Sequence, residues 1–418
     1  MNRDRMHFLL LNIGHFLDHL FTLIFATVAA LALIREWGMG YGALLAYATP
    51  GFLAFGLFSL PAGWLADKWS REGMMCVFFF GIGLASIATA FARTPIEIGI
   101  GLFVIGMFAA IYHPVGLAIV TGKWRNTGMR IAVNGVWGNL GVASAALITG
   151  YFIDNGGWRT AFIVPGAVSL VVGVAYFALR GREIGNERIA AKAPVATGPA
   201  PDPDLRALLV RVSVIVFATT AISSIIFQST TFALPKIFDE RLRGIASEAA
   251  AWAREASAPI NADVATAVGI FAFVVFAVAS LAQLVVGKLL DLYGPRPVFL
   301  TVAAIQLVFF AAMPGLHDAL ALAVAFGFML GAFGQIPIND YMIGKMASGS
   351  FRARVYGVRY VVSFTVLAAA LPLIAFVHER FGFDTLFRLL AAAAAATIVI
   401  VSRLPRRLPS PVAAQPAE

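Results

Sequence analysis

The chain has 418 residues, of which 60% are hydrophobic and 13% charged, with a formal net charge of +9. A soluble domain carries roughly 25% charged residues. The basic residues also stand at the ends of apolar runs instead of forming a phosphate-binding patch, so a soluble enzyme and a nucleic-acid-binding domain are both excluded. One cysteine, Cys76, excludes a disulfide framework and a cysteine metal site.

Twelve runs are apolar enough to form spanning helices, which need about 20 residues each: 7–34, 41–66, 73–92, 96–122, 129–153, 159–180, 207–237, 264–289, 297–315, 318–345, 354–378 and 383–403. The first is too long for the apolar part of a cleavable signal, so no leader is expected. With the N-terminus inside, Arg3, Arg5, Lys68, Arg71, Arg130, Arg180, Lys288, Arg296, Arg354 and Arg403 all gather on the cytoplasmic side, which is the positive-inside distribution. Both termini are therefore expected in the cytoplasm of a bacterial cell, with the chain in its inner membrane. Residues 181–206 turn charged and then rich in proline and alanine, which reads as a linker between a bundle at 1–180 and a second at 207–404. The tail at 405–418 has similar composition and is expected to be disordered. Between the seventh and eighth runs, residues 239–263 read as an external loop with a short amphipathic helix around Glu248, Trp252 and Glu255. That loop is either a solvated connector or a lid.

The chain repeats itself. Gly63, Leu65 and Asp67, closed by Arg71, return as Gly287, Leu289 and Asp291, closed by Arg296. Gly157-Trp158-Arg159-Thr160-Ala161-Phe162 is echoed at Gly382-Phe383-Asp384-Thr385-Leu386-Phe387, Gly106 by Gly331, and Arg130 by Arg354. The two loops resemble the G-x-L-x-D-x-x-G-x-R segment that the major facilitator superfamily carries between helices 2 and 3 and again between 8 and 9. Tyr112-His113-Pro114-x-Gly116, Asn134-Gly135-x-Trp137-Gly138-Asn139-x-Gly141 and Gly157-Trp158-Arg159-x-x-Phe162, together with Asp18, are similar to the fosmidomycin-resistance-like branch. Drug antiporters differ here: they have a proline in the stretch matching 134–141 and an arginine where this chain has Leu102. The resemblance implies an all-α membrane protein of 12 transmembrane helices in two pseudo-symmetric six-helix bundles, with alternating access by rocking. It also implies gating roles for Gly63, Asp67, Arg71, Gly287, Asp291, Arg296, Arg130 and Arg354.

Ionisable groups inside a membrane are functional candidates by default, since they cost a few kcal/mol or more. The first run supplies Asn12, His15, Asp18, His19 and Thr22 at intervals of three and four, one polar stripe that must face an interior or a water-filled cavity. Histidine titrates near neutral pH, so Asp18, His15, His19 and His113 are candidate proton carriers, the alternative being a static brace between helices. Pro114 removes a backbone donor beside His113 and is expected to kink its helix. By depth His113 and Asp18 can meet, or His113 is merely a satisfied interior group. Tyr112, Asn134, Trp137, Asn139, Gln228, Gln335, Asn339, Arg359 and Tyr360 are candidate cavity residues. Asp340 and Arg359 stand at similar depth, either as an ion pair closing the inner gate or with Arg359 as an anion site.

No nucleotide-binding loop is present; the Gly81/Gly83 and Gly99/Gly101 pairs lie within apolar runs, where close packing explains them. Energy must then come from an ion gradient or from the substrate's own gradient. The expectation is a secondary active transporter of a small organic compound, coupled to protons and working as an exporter, with uptake of an organic anion as the alternative. A membrane-embedded enzyme lacks a catalytic set, and a sensor lacks an extramembrane domain. No metal, no cofactor and no nucleic-acid partner is expected; the partners are substrate, protons and lipid, with the chain acting as a monomer.

Overall fold

The computed structural model describes the backbone of residues 2–124, 127–184, 203–255, 263–346 and 349–405. Their side chains are described except at 121–123, 127–129, 131–132, 203–206, 209, 340, 343–346, 349–362, 364–365 and 367. Among the described residues every regular element is helical. The first bundle contains α1 (Arg3–Val28), α2 (Ile34–Glu36), α3 (Tyr41–Ala46), α4 (Thr49–Lys68), α5 (Arg71–Thr89), α6 (Pro95–Ala109), α7 (Leu117–Lys123), α8 (Thr127–Gly156) and α9 (Trp158–Arg180). The second contains α10 (Pro203–Arg241), α11 (Arg243–Glu255), α12 (Val264–Tyr293), α13 (Pro295–Ala312), α14 (Asp318–Gly334), α15 (Ile336–Met346) and α16 (Gly349–Ser402). Single π-helical turns at Ala29–Leu33 and Tyr112–Gly116 join α1 to α2 and α6 to α7. The second of these is the distortion Pro114 was expected to cause, because a proline has no N–H to close an α turn.

Among the described residues eleven stretches are long and apolar enough to cross a membrane, and the last of them, Ala368–Ser402, contains a sharp break at Gly382 (φ 72°, ψ 177°). Splitting it there brings the passes to twelve. Gly157 (φ 77°, ψ 165°) and Gly294 (φ 78°, ψ 172°) make the same corner between α8 and α9 and between α12 and α13. Positive φ is open to glycine at little cost, so three hairpins turn on one residue each, and the internal repeat at Gly157 and Gly382 is a repeat of backbone geometry. Polar side chains start α1, α5 and α6. Asn2 accepts from the N–H of Arg5 (2.9 Å), Ser70 from Gly73 (3.0 Å) and Thr94 from Glu97 (3.2 Å).

Lipid removes the hydrophobic drive between helices, so close approach through small residues holds them. Gly83 on α5 and Gly166 on α9 face each other, and a Cβ on either would lie 2.8 Å from the other's carbonyl oxygen. Gly51 on α4 meets the Leu102 carbonyl of α6 in the same way (2.8 Å). The bundles meet along α8 and α12, where a Cβ on Gly269 would stand 2.6 Å from the Ala146 carbonyl oxygen.

Two polar clusters mark the ends of the molecule. At the end carrying residue 3, Glu72 of α5 is 1% exposed, and its carboxylate meets His7 of α1 (3.2 Å), Arg180 of α9 (2.7 Å) and the donating hydroxyl of Tyr176. At the far end the bundles are clasped together. Asp154 of α8 accepts from Thr266 N–H (2.7 Å), Thr266 Oγ1 (2.6 Å) and Asp263 N–H (3.1 Å) at the start of α12. Glu379 of α16 accepts from the Ala43 N–H of α3 (2.8 Å), while Tyr41 stacks edge-on against His378 at 5.5 Å. His378 also reaches Glu240 (3.1 Å), which pairs with Lys236 (3.3 Å). The amphipathic helix expected within 239–263 is α11, with Trp252 72% exposed and Ala246 and Ala250 buried.

Candidate functional site

The polar stripe of α1 faces inward. Asn12 (3% exposed), His15 (7%) and Asp18 (0%) are buried; His19 and Thr22 are half-buried. Apolar residues cover the other faces of α1 from Phe8 onward, and the stripe sits against α8 and the π turn after α6. Glycines make the seat: a Cβ on Gly138 would stand 2.7 Å from His15 Nε2, and one on Gly141 would collide with the Phe16 carbonyl.

Hydrogen bonds fix most of this group. His15 Nδ1 lies 2.8 Å from the Asn134 backbone oxygen, and its ring stacks on Tyr112 at 4.8 Å. The Asn134 amide donates to Asn12 Oδ1 and to the Tyr112 hydroxyl, both at 2.9 Å, and Tyr112 donates to the Leu11 carbonyl (2.7 Å). Thr22 donates back to the His19 carbonyl (2.9 Å) and is thereby satisfied within its own helix. His19 Nε2 lies 3.2 Å from His15 Nε2.

Asp18 is different. Neither carboxylate oxygen has a hydrogen-bond partner, although both are buried, and the nearest titratable group is His113, whose Nε2 is 3.4 Å from Asp18 Oδ2. The predicted meeting of Asp18 and His113 across the bundle therefore occurs. The π turn makes it, since it carries His113 away from a straight helix line and against α1. Beside this group, Phe21, Thr22, Phe25, Gly51, Phe52 and Phe55, with Phe232 of α10, line a closely packed cleft of about 20 Å³, room for a single water molecule. Phe52 and Phe232, from opposite bundles, pack edge to face at 5.6 Å.

In the second bundle Gln335 receives from the Gln306 amide (2.8 Å) and donates to the Ser223 carbonyl (3.1 Å), while Thr219 donates to Asn339 (3.0 Å). Gln335 and Asn339 were expected; Gln306, Ser223 and Thr219 were not. Gln228, Trp137 and Asn139 are half-buried and stand outside these networks. Asp340, Arg354, Arg359 and Tyr360 lie outside the described side chains.

The expected gating residues divide. Asp67 pairs with Arg71 of its own loop (2.9 Å), and at 48% and 35% exposure this is a solvated pair. The chain turns so tightly after α4 that the first basic residue of α5 falls within reach of this acid. Arg130 lies over the Phe8 and Trp124 rings (4.4 and 5.1 Å), again within its own bundle. Gly63 has the Pro114 ring at contact distance (3.3 Å from a Cβ there), Gly287 has open space, Asp291 is exposed and Arg296 half-exposed. The residues sequence reading missed are the Glu72 cluster and the far-end clasp, whose bonds include Glu72–Arg180, Asp154–Thr266 and Ala43–Glu379, each joining positions more than 100 apart.

Among the described residues, eleven apolar spans, the last broken at Gly382, and a buried acid beside a histidine in the interior of one bundle mark a multi-pass membrane protein. The chain belongs to the Major Facilitator Superfamily, which it matches over residues 11–253 and 256–418. Among curated proteins it is similar to a gallate transporter of Pseudomonas putida, 24% identical over 34% of this chain and 32% of that one. It is also similar to a puromycin resistance protein of Streptomyces alboniger (30% identical, 33% and 28%) and a niacin transporter of Acinetobacter baylyi (26%, 40% and 39%). The matched segments thus span about a third of those relatives. Among solved structures it shares the fold of a peptide transporter (TM-score 0.72, 14% identity, 97% and 99% coverage) and of a nucleoside transporter (0.71, 17%, 95% and 99%).

Proposed function

We propose that the chain is a secondary active transporter that moves a small organic compound across the bacterial inner membrane by alternating access, coupled to protons and operating as an exporter. The observation that carries this reading is the clasp between bundles at the far end, closed over an aromatic-lined interior beside Asp18. An assembly shut at one end by hydrogen bonds between its halves is suited to rocking about that interior. With the termini in the cytoplasm the clasp is the outer gate, and the described conformation is the one sealed to the outside. Phe21, Phe25, Phe52, Phe55 and Phe232 favour a substrate with an aromatic or apolar face. Relatives include both a gallate transporter and resistance proteins, so the class of cargo fits while the direction rests on our reading. The Tyr112-His113-Pro114 and Asn134–Gly141 motifs support placement in the fosmidomycin-resistance-like branch.

Within this scheme Asp18 is the coupling acid and His113 its proton partner. The test is counterflow in proteoliposomes, with a panel of metabolites and antibiotics, followed by transport under an imposed pH gradient. Asp18→Asn is expected to abolish uphill movement while exchange persists, because exchange needs no net proton transfer. Uphill transport by Asp18→Asn protein would refute the coupling role.

A further inference from the structure

Histidines one helical turn apart, at positions i and i+4, project from the same face of a helix, the spacing that lets two imidazoles share one metal ion. His15 and His19 have this spacing on α1, and the π turn sets His113 against both, at ring-centroid distances of 5.2 and 5.4 Å. Coordinating nitrogens of all three come within 4.8 Å of one another.

The orientation of His15 is determined. The Asn134 carbonyl, 2.8 Å from Nδ1, can only accept a hydrogen bond, so Nδ1 carries the hydrogen and Nε2 holds a lone pair. A backbone carbonyl on one ring nitrogen is the support metal-bound histidines commonly have. That lone pair faces His19 Nε2 at 3.2 Å. Two imidazole nitrogens on a tetrahedral zinc ion, each at about 2.0–2.1 Å, stand roughly 3.3 Å apart. The pair is already at ligand spacing.

Asp18 supplies the second, independent observation. It is 0% exposed, both oxygens lack a hydrogen-bond partner, and Oδ2 lies 3.4 Å from His113 Nε2. A carboxylate held in a dry interior with no close hydrogen bond and only a histidine nitrogen beside it is a costly arrangement, and a divalent cation nearby lowers that cost. Gly138 keeps the space clear, since a Cβ there would be 2.7 Å from His15 Nε2.

We propose that His15, His19 and His113 form a binding site for a divalent first-row transition-metal cation, with the Asp18 carboxylate beside His113 balancing its charge. Three imidazole ligands select the zinc, cobalt, nickel and copper class over magnesium or calcium. The site uses residues of the coupling scheme but does not depend on it.

The test uses the full chain in lipid nanodiscs, purified without a histidine tag and stripped with chelator. CoCl₂ is titrated while the cobalt absorption is recorded, and ZnCl₂ then competes. One cation per chain is expected, with His19→Gln and His113→Gln each weakening it at least about tenfold to a hundredfold. Asp18→Asn is expected to alter the cobalt spectrum, and His317→Gln, at an exposed position, to change nothing. His15→Gln also removes the hold on Asn134, so if that variant misfolds the other two histidines decide the outcome. No saturable binding, or undiminished binding in the His19→Gln/His113→Gln double variant, overturns the proposal. Metal binding without any transport would leave this site standing and refute the transport reading; transport without metal binding would do the reverse.

Discussion

Removing Asp154 should open the far end of the molecule. Its carboxylate accepts three hydrogen bonds from the start of α12, at 2.6, 2.7 and 3.1 Å. Bonds to a charged acceptor contribute about 1.5–3 kcal/mol each when dry. Asp154 is only half-buried, and in the open state water replaces its partners, so about 1 kcal/mol per bond is a fair value after screening. Asp154→Ala then costs the sealed state about 3 kcal/mol, a shift of roughly a hundredfold in the sealed-to-open ratio. The assay is pulsed electron resonance between spin labels at Asn155→Cys on α8 and Trp252→Cys on α11. Both positions are exposed, and the chain's single native cysteine, Cys76, is buried and replaceable. Wild type should give a short, narrow distance distribution, Asp154→Ala a longer and broader one, and Asp154→Asn something between, since it keeps one acceptor. An unchanged distribution in Asp154→Ala would show that the clasp does not hold the bundles together.

Other perturbations give further expected outcomes. Gly138→Ala drives a methyl to within 2.7 Å of His15 Nε2; overpacking of about 1–3 kcal/mol is partly offset by about 1 kcal/mol of helix propensity. Thermal stability should therefore fall little while uphill transport and cobalt binding fall strongly; loss of neither would undo the account of the histidine seat. Glu72→Gln weakens the bonds to His7, Tyr176 and Arg180, of which Arg180 keeps Glu183 as a counter-charge, and should lower stability by about 1–3 kcal/mol, seen in detergent melting curves. Asp67→Asn breaks an exposed pair worth at most about 1 kcal/mol. It should leave the melting temperature near wild type, so any transport defect it causes is one of gating.

The membrane makes the fold legible. Spans of about 20 apolar residues and glycines at the corners follow from the need to satisfy backbone groups inside lipid, and the 3–4 spacing of Asn12, His15, Asp18, His19 and Thr22 exposes an inward stripe. Pro114 likewise signals the distortion that carries His113 to Asp18. Pairings between distant segments leave no such mark. Nothing near Glu72 points to His7, Tyr176 and Arg180, and nothing near Asp154 points to Thr266. Nor does composition reveal that Asn134 offers its backbone oxygen to His15, while its side chain serves Asn12 and Tyr112. The three histidines present themselves in the sequence only as separate proton carriers, because their convergence depends on helix rotation, which a period cannot supply between separate helices. The motif around Asp67 predicts a role but not a partner, and Arg71 is the partner among the described residues.

The π turns at Ala29–Leu33 and Tyr112–Gly116 each hold one residue more than an α turn. Each therefore stands as a one-residue insertion, and the helix beyond it is turned by about 100° from where a regular helix would put it. The bonds from Trp158 and Arg159 to Glu36 (2.7 and 3.2 Å) exist in that rotated frame. An alignment with a relative whose first helix is regular needs a single-residue gap near position 30. Omitting it would pair Glu36 with the wrong neighbour and hide any counterpart of this acid.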